Sequence, residues 1–194
     1  MAAYGPTPTY FAAATAAVAN QVVASTNMKV GAYVVANSGA MPTAGARHIT
    51  VAATAGDTAD TMGTIVVVGT DLNGTALTET LAPVAGSTVT GTKWFVTVTS
   101  VTGAGWVLDA AETTNDTLVV GCSAAACVSD GDGVLSGVVI GETAAGAVTL
   151  ADENGTIGVL KASIAEGSFA FDVAFSGYLT VTVAAASKLT VSTS

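Results

Sequence analysis

The chain has 194 residues and a formal net charge of −9, with 51% hydrophobic, 6% aromatic and 10% charged residues. An ordinary globular domain is about 25% charged, and this pairing of high hydropathy with low charge excludes intrinsic disorder, whose signature is the reverse. Thr, Val and Gly stand where a coiled coil or long bundle would carry Glu, Lys, Leu and Arg, so the composition points to an all-β fold.

The five cations, Lys29, Arg47, Lys93, Lys161 and Lys188, are scattered among fourteen acidic residues. No basic stripe exists to neutralise phosphates, which argues against direct nucleic-acid binding and against docking on an anionic membrane.

Residues 1–46 read as an N-terminal arm or short helix. Tyr4, Pro6, Pro8 and Tyr10 favour extended backbone, whereas Phe11 to Ala24 is Ala-rich and places Val18, Val22 and Val23 roughly on one helical face. Both readings stay open. No basic segment precedes this stretch, as a secretory signal would require. Asn20 and Gln21 interrupt it, and it falls short of the roughly 20 apolar residues of a membrane span. The expectation is a protein made and kept in the cytoplasm until it is used.

Residues 47–128 form a first β module. Ile49–Val51 opens it, and Thr64–Gly69 and Thr75–Leu81 flank Asn73-Gly74, a strong hairpin signal because both residues tolerate positive φ. In Lys93–Val101, Phe95, Thr97 and Thr99 alternate with Trp94, Val96 and Val98. Thr102–Gly105 reads as a turn into Trp106–Leu108, and Thr117–Val120 closes the unit. Turns every 8 to 12 residues suit a sandwich or barrel.

Residues 129–133, Ser-Asp-Gly-Asp-Gly, form the expected linker. The Asp spacing and distal Glu of an EF-hand are missing, so a turn is the better reading than a calcium loop. Residues 134–194 then form a second small antiparallel β-sandwich, with strands at Val134–Ile140, Ala147–Leu150, Thr156–Ala162, Ser168–Phe175, Tyr178–Val183 and Lys188–Val191. In the fourth, Phe169, Phe171, Val173 and Phe175 alternate with Ala170, Asp172 and Ala174. A module of about 60 residues buries only about 60% of its unfolded surface. Both modules are therefore expected to gain stability by self-association or by docking on a larger assembly.

The sequence nominates no catalytic, cofactor-binding or metal-binding residue. His48 is the single histidine, and Arg47-His48 just before a strand suits a surface or interface. Cys122 and Cys127 would need two further ligands for zinc; free, half-buried thiols are the expectation, with a local disulfide as the alternative outside the cytosol. Asp57 and Asp60, and Asp152 and Glu153, sit in turn-like contexts that suit solvated charge. No nucleophile elbow, Walker loop or Gly-x-Gly-x-x-Gly follows a strand. Trp94 and Trp106 are expected to fill core in a chain so short of aromatics; their alternative is a glycan-binding surface.

The run from Arg47-His48-Ile49-Thr50-Val51 through Gly63–Gly74, Leu77–Leu81 and Gly91–Val101 resembles small structural proteins of tailed bacteriophages. The C-terminal module, with Leu135–Ile140 and Gly177–Val181, is similar to β-sandwich tails on such virion proteins. The resemblance spans about Arg47 to Ser194 and leaves the arm unmatched. It implies a non-enzymatic virion component, first of all a capsid decoration (cement) protein, with the major capsid protein or other virion proteins as partners and commonly a homotrimer. It transfers no functional residues and implies no cofactor. The rivals are a head fibre, tail or head–tail connector protein, and a bacterial surface adhesion or glycan-binding module.

Overall fold

The computed structural model describes residues 7–14, 17–28, 31–42, 45–55, 61–107, 116–142, 145–185 and 187–194. Tyr4, Pro6, Lys29, Asp57, Asp60 and Leu108 lie outside them. The described chain is all-β, as the composition dictates, with fifteen strands and a single 3₁₀ turn at Asn37–Gly39. Among the described residues no helix is long and apolar enough to cross a membrane.

In chain order the strands are β1 (Thr7–Ala14), β2 (Val18–Asn27), β3 (Ala32–Tyr33), β4 (Ala46–Thr54), β5 (Thr64–Thr70), β6 (Ala76–Leu81), β7 (Thr88–Thr90) and β8 (Thr97–Ala104). They continue with β9 (Thr117–Asp130), β10 (Gly133–Ile140), β11 (Val148–Asp152), β12 (Gly155–Leu160), β13 (Gly167–Phe175), β14 (Tyr178–Val183) and β15 (Ser187–Thr193). The helix considered for Phe11 to Ala24 is not formed: its described residues belong almost wholly to β1 and β2. Val22 and Val23 are both buried, at 1% and 2% exposure, although they are neighbours. The β2–β9 register shifts on either side of Val23, which lets consecutive valines reach the core.

Two compact units emerge, and their boundaries differ from a division into consecutive modules. One comprises Ala17–Met41 and Arg47–Ser123; the other comprises Met1–Ala16, Pro42–Ala46 and Ala124–Ser194. The divide on the C-terminal side thus falls inside β9, between Ser123 and Ala124. The 129–133 segment contains the end of β9 and the start of β10, leaving Gly131 and Asp132 as a short connection.

The first unit is a sandwich. The sheet β3-β8-β5-β6 forms one layer; β4, β7, β2 and the first half of β9 supply the other. Ile49 and Val51 on β4, Ile65 and Val67 on β5, Val98 and Val101 on β8, and Leu118 and Val120 on β9 meet in a single core. The alternation expected over Lys93–Val101 breaks. Phe95 and Val98 are both buried, at 0% and 2%. The backbone of Phe95 pairs with Arg47, Val96 donates to the Thr70 carbonyl, and the ladder to β5 slips between Val68 and Gly69. β7 is three residues long, too short to show a period.

The second unit is also a sandwich, with the sheet β1-β15-β10-β13 facing β12-β11-β14 and the second half of β9. Leu135, Val138, Ile140, Leu189 and Val191 pack against Val148, Leu150, Leu179, Val181 and Val183. The β13 pattern holds through Phe169 and Phe171, both partly buried on this core. Past the bulge, where Asp172 takes φ 56°, Phe175 is buried on the same parity, while Val173 is 38% exposed.

The turns close by side-chain capture. At Asp71–Thr75 only Gly74 has positive φ (75°); the Asp71 carboxylate supplies the remaining order, accepting the Asn73 and Thr75 amides at 2.8 Å. In the other unit Asp152 Oδ1 accepts the Asn154 and Gly155 amides, at 2.8 and 3.1 Å, and Oδ2 accepts the Ser176 amide at 3.1 Å. Asp132 Oδ1 accepts the Gly177 amide at 2.8 Å, and the Gly131 amide donates to the Gly177 carbonyl at 2.7 Å, so three turns are stitched together.

These amides, Ser176 foremost, hold the Asp152 carboxyl below its ordinary value. A carboxylate depressed on folding stabilises fully above its unfolded value, and that contribution fades as pH falls through the folded value. Thermal melts should therefore show stability falling as pH drops below about 4. Asp152→Asn should be less stable than wild type at neutral pH and should lack this component of acid sensitivity.

Candidate functional site

In the first unit, strand parity brings polar groups inward where the alternation demands apolar ones. Arg47 shares its face of β4 with Ile49 and Val51 and is 1% exposed. Its Nη1 donates to the Ser123 carbonyl at 2.8 Å, and its backbone exchanges two hydrogen bonds with Phe95. Burial lowers the pKa of the guanidinium. The surface placement expected for Arg47 is thus corrected. Ladder parity sends it inward and His48 outward, where His48 is partly exposed.

Glu79 occupies the matching position on β6, between Leu77 and Leu81, and is 7% exposed. Its Oε1 accepts the Thr92 amide at 2.6 Å, the Thr92 hydroxyl at 3.2 Å and the Lys93 amide at 3.3 Å. A buried carboxylate is costly unless donors surround it. Here the donors come mainly from the backbone of the 91–94 loop, so Glu79 sets the loop's conformation. Lys93 Nζ adds a bond to the Thr78 carbonyl at 2.7 Å. The second carboxylate oxygen packs against Gly91, where any Cβ would collide with it.

The loop so held presents Trp94 to His48. Their ring centroids are 3.5 Å apart and the planes 26° from parallel. His48 Nδ1 lies 3.1 Å from the Lys93 carbonyl; a carbonyl only accepts, so Nδ1 carries the hydrogen and Nε2 keeps its lone pair. Burial lowers the His48 pKa, partly offset by the Lys93 carbonyl and the charge of Glu79. The ring is therefore neutral at pH 7. The result is an indole–imidazole platform with the exposed Thr92 and Lys93 beside it.

The core role expected for both tryptophans holds for Trp106, which packs against the first core. Trp94 departs from it: it is partly exposed and stacked on His48, because its neighbour Phe95, bridged to Arg47, takes the inward position.

Cys122 and Cys127 are both free and buried, one in each compact unit. Burial raises both thiols; Cys127, also near Asp130, is pushed up to about 12 and donates to the Ser129 carbonyl at 3.1 Å. Such thiols are poor nucleophiles and poor ligands at neutral pH. Among the described residues no group of three or more His, Cys, Asp or Glu could hold a metal ion.

The residues alone suggest a surface or interface role for His48 and draw no attention to Glu79. The signal that marks the site is a charged residue on the apolar parity of a strand, in Leu77-Thr78-Glu79-Thr80-Leu81 and again in Arg47-His48-Ile49-Thr50-Val51. Comparison with protein-family models, with curated proteins and with solved structures finds no match to this chain.

Gly91→Ala should displace the Glu79 carboxylate from its loop donors and cost about 1–3 kcal/mol in urea unfolding. The same substitution should reduce quenching of Trp94 fluorescence by His48.

Proposed function

We propose that this chain is a non-enzymatic structural component of a tailed-phage virion, a capsid decoration (cement) protein that binds and stabilises the assembled shell. The observation that carries this reading is the outer face of β15, β10 and β13. Val139, 41% exposed, lies there with Ser136, Ser168, Ala170, Thr190 and Ser192. Lys188, at the end of this face, is ion-paired with Glu142 at 2.7 Å. A face of small, mostly uncharged side chains costs little to desolvate and can approach another protein closely. That suits a protein added in many copies to a closed shell, where shape complementarity supplies the affinity. Net charge −9 disfavours contact with packaged DNA, as suits a protein on the outside of the shell.

Quantitative mass spectrometry of purified virions tests it. Copies on the order of hundreds per particle are expected of a decoration protein; about six or twelve would favour a connector or fibre on a symmetry axis, and absence from the particle overturns the proposal.

A second reading rests on the Trp94–His48 platform. A partly exposed indole beside a neutral imidazole and a lysine suits the ring face of a sugar, as in a surface glycan-binding module. On a glycan array this reading predicts binding that Trp94→Ala reduces at least tenfold; an array blank for the wild type removes it.

A further inference from the structure

We propose that two copies of this chain join edge to edge through β13, antiparallel about a two-fold axis at Phe169. Among the described residues β13 is the last strand of its sheet, with β10 as its partner. The Gly141 amide donates to the Lys188 carbonyl, and alternate residues of a strand bond to the same side. Val139 therefore bonds towards β15, and Val138 and Ile140 bond towards β13. In the β10–β13 register Val138 faces Phe169, Ile140 faces Gly167 and Val139 faces Ser168. The amide and carbonyl groups of Phe169 and Gly167 are thus used by β10, while those of Ser168 and Ala170 point out of the sheet edge.

That pattern is its own complement. A two-fold axis at Phe169 sets Ser168 of one copy against Ala170 of the other, and each such pair exchanges two backbone hydrogen bonds. Phe169 then meets its own counterpart in a non-hydrogen-bonded pair, where side chains come closest. Its ring is only partly buried on its own core, so the partner ring covers what is left. Neither Lys nor Pro protects the edge from Gly167 to Phe171, although such residues commonly guard edges. The bulge at Asp172, with φ 56°, ends the straight segment and pins the register. On the outer face Ser168 and Ala170 border a shallow groove shared with Ser136, Gly137 and Ser192, so no bulky side chain obstructs the approach. In this register Glu166 of one copy faces Asp172 of the other, and like charges bound the pairing at both ends.

This contact stands independently of the virion reading. Sedimentation equilibrium of the full chain should give a mass rising from one chain towards two with concentration, more readily at high salt, which screens the Glu166–Asp172 repulsion. Ser168→Pro removes an outward amide without touching the β10 ladder; it should weaken association at least tenfold with an unchanged circular dichroism spectrum. Phe169→Cys should form a disulfide-linked dimer on mild oxidation, since the close approach of a non-hydrogen-bonded pair brings two Cβ atoms near disulfide range, while the buried Cys122 and Cys127 stay reduced. A wild type of one-chain mass at every concentration overturns the proposal, as does association that ignores Ser168→Pro. If Ser168→Pro fails to fold, Phe169→Cys decides: a disulfide joining the two copies at position 169, found by peptide mapping, supports the pairing, and its absence overturns it. A trimer insensitive to both variants removes this contact and leaves the decoration reading in place.

Discussion

The structure depends on β9. Its fourteen residues supply backbone partners and apolar side chains to both compact units: the first half pairs with β2 and the second with β14. Leu118, Val120 and Cys122 enter one core, and Ala126 enters the other. No residue of the strand is exposed before Asp130. From Leu118 to Val128 β9 reads Leu-Val-Val-Gly-Cys-Ser-Ala-Ala-Ala-Cys-Val, with no regular polar–apolar alternation. Cys122 and Cys127 are buried within the strand, and burial is what makes both thiols inert.

Each core is modest in its large side chains, and charge is used sparingly inside. Arg47 and Glu79 are charged side chains that the first unit places on the apolar parity of a strand and seals with backbone partners. Neither adds much by burial as such, since desolvation offsets the gain. Glu79 confers local order instead. It converts the 91–94 loop from a flexible connection into a defined support for Trp94, and through the Lys93 carbonyl it orients His48. In the second unit the exposed Asp132 and the solvent-facing carboxylate of Asp152 act comparably on turns, where water would otherwise compete for the same amides.

The strands from Ile49 onward are legible in the sequence wherever alternation and turn residues agree. Thr64–Gly69, Thr75–Leu81, Val134–Ile140 and Tyr178–Val183 all lie close to their observed bounds. The departures share a cause. Irregularities at Val23 and Thr99 reset the two-residue period, so Val22 and Val23 are both buried and Val98 shares the core with Val101. In β1 and β2, Ala-rich composition carries no clear period, and pairing with β15 and β9 decides between helix and strand. The candidate site is half visible: Trp94 and His48 stand out by rarity, while Glu79 and Arg47 escape notice despite lying in phase with leucine, isoleucine and valine.

By itself the sequence determined the fold class, because few charges, abundant Thr, Val and Gly, and regular turn residues leave little but antiparallel sheet. It also determined the turns at Asp71–Gly74 and Asp152–Gly155, since an Asp followed closely by Asn-Gly carries its own hydrogen-bond donors and acceptors within a few residues. The tertiary structure alone decided how the chain divides into units, that Trp94 lies against His48, and which edge of β13 faces away from its sheet. Those outcomes depend on register between segments distant in the chain, and register is set by the ladder as a whole, which no local window of sequence contains.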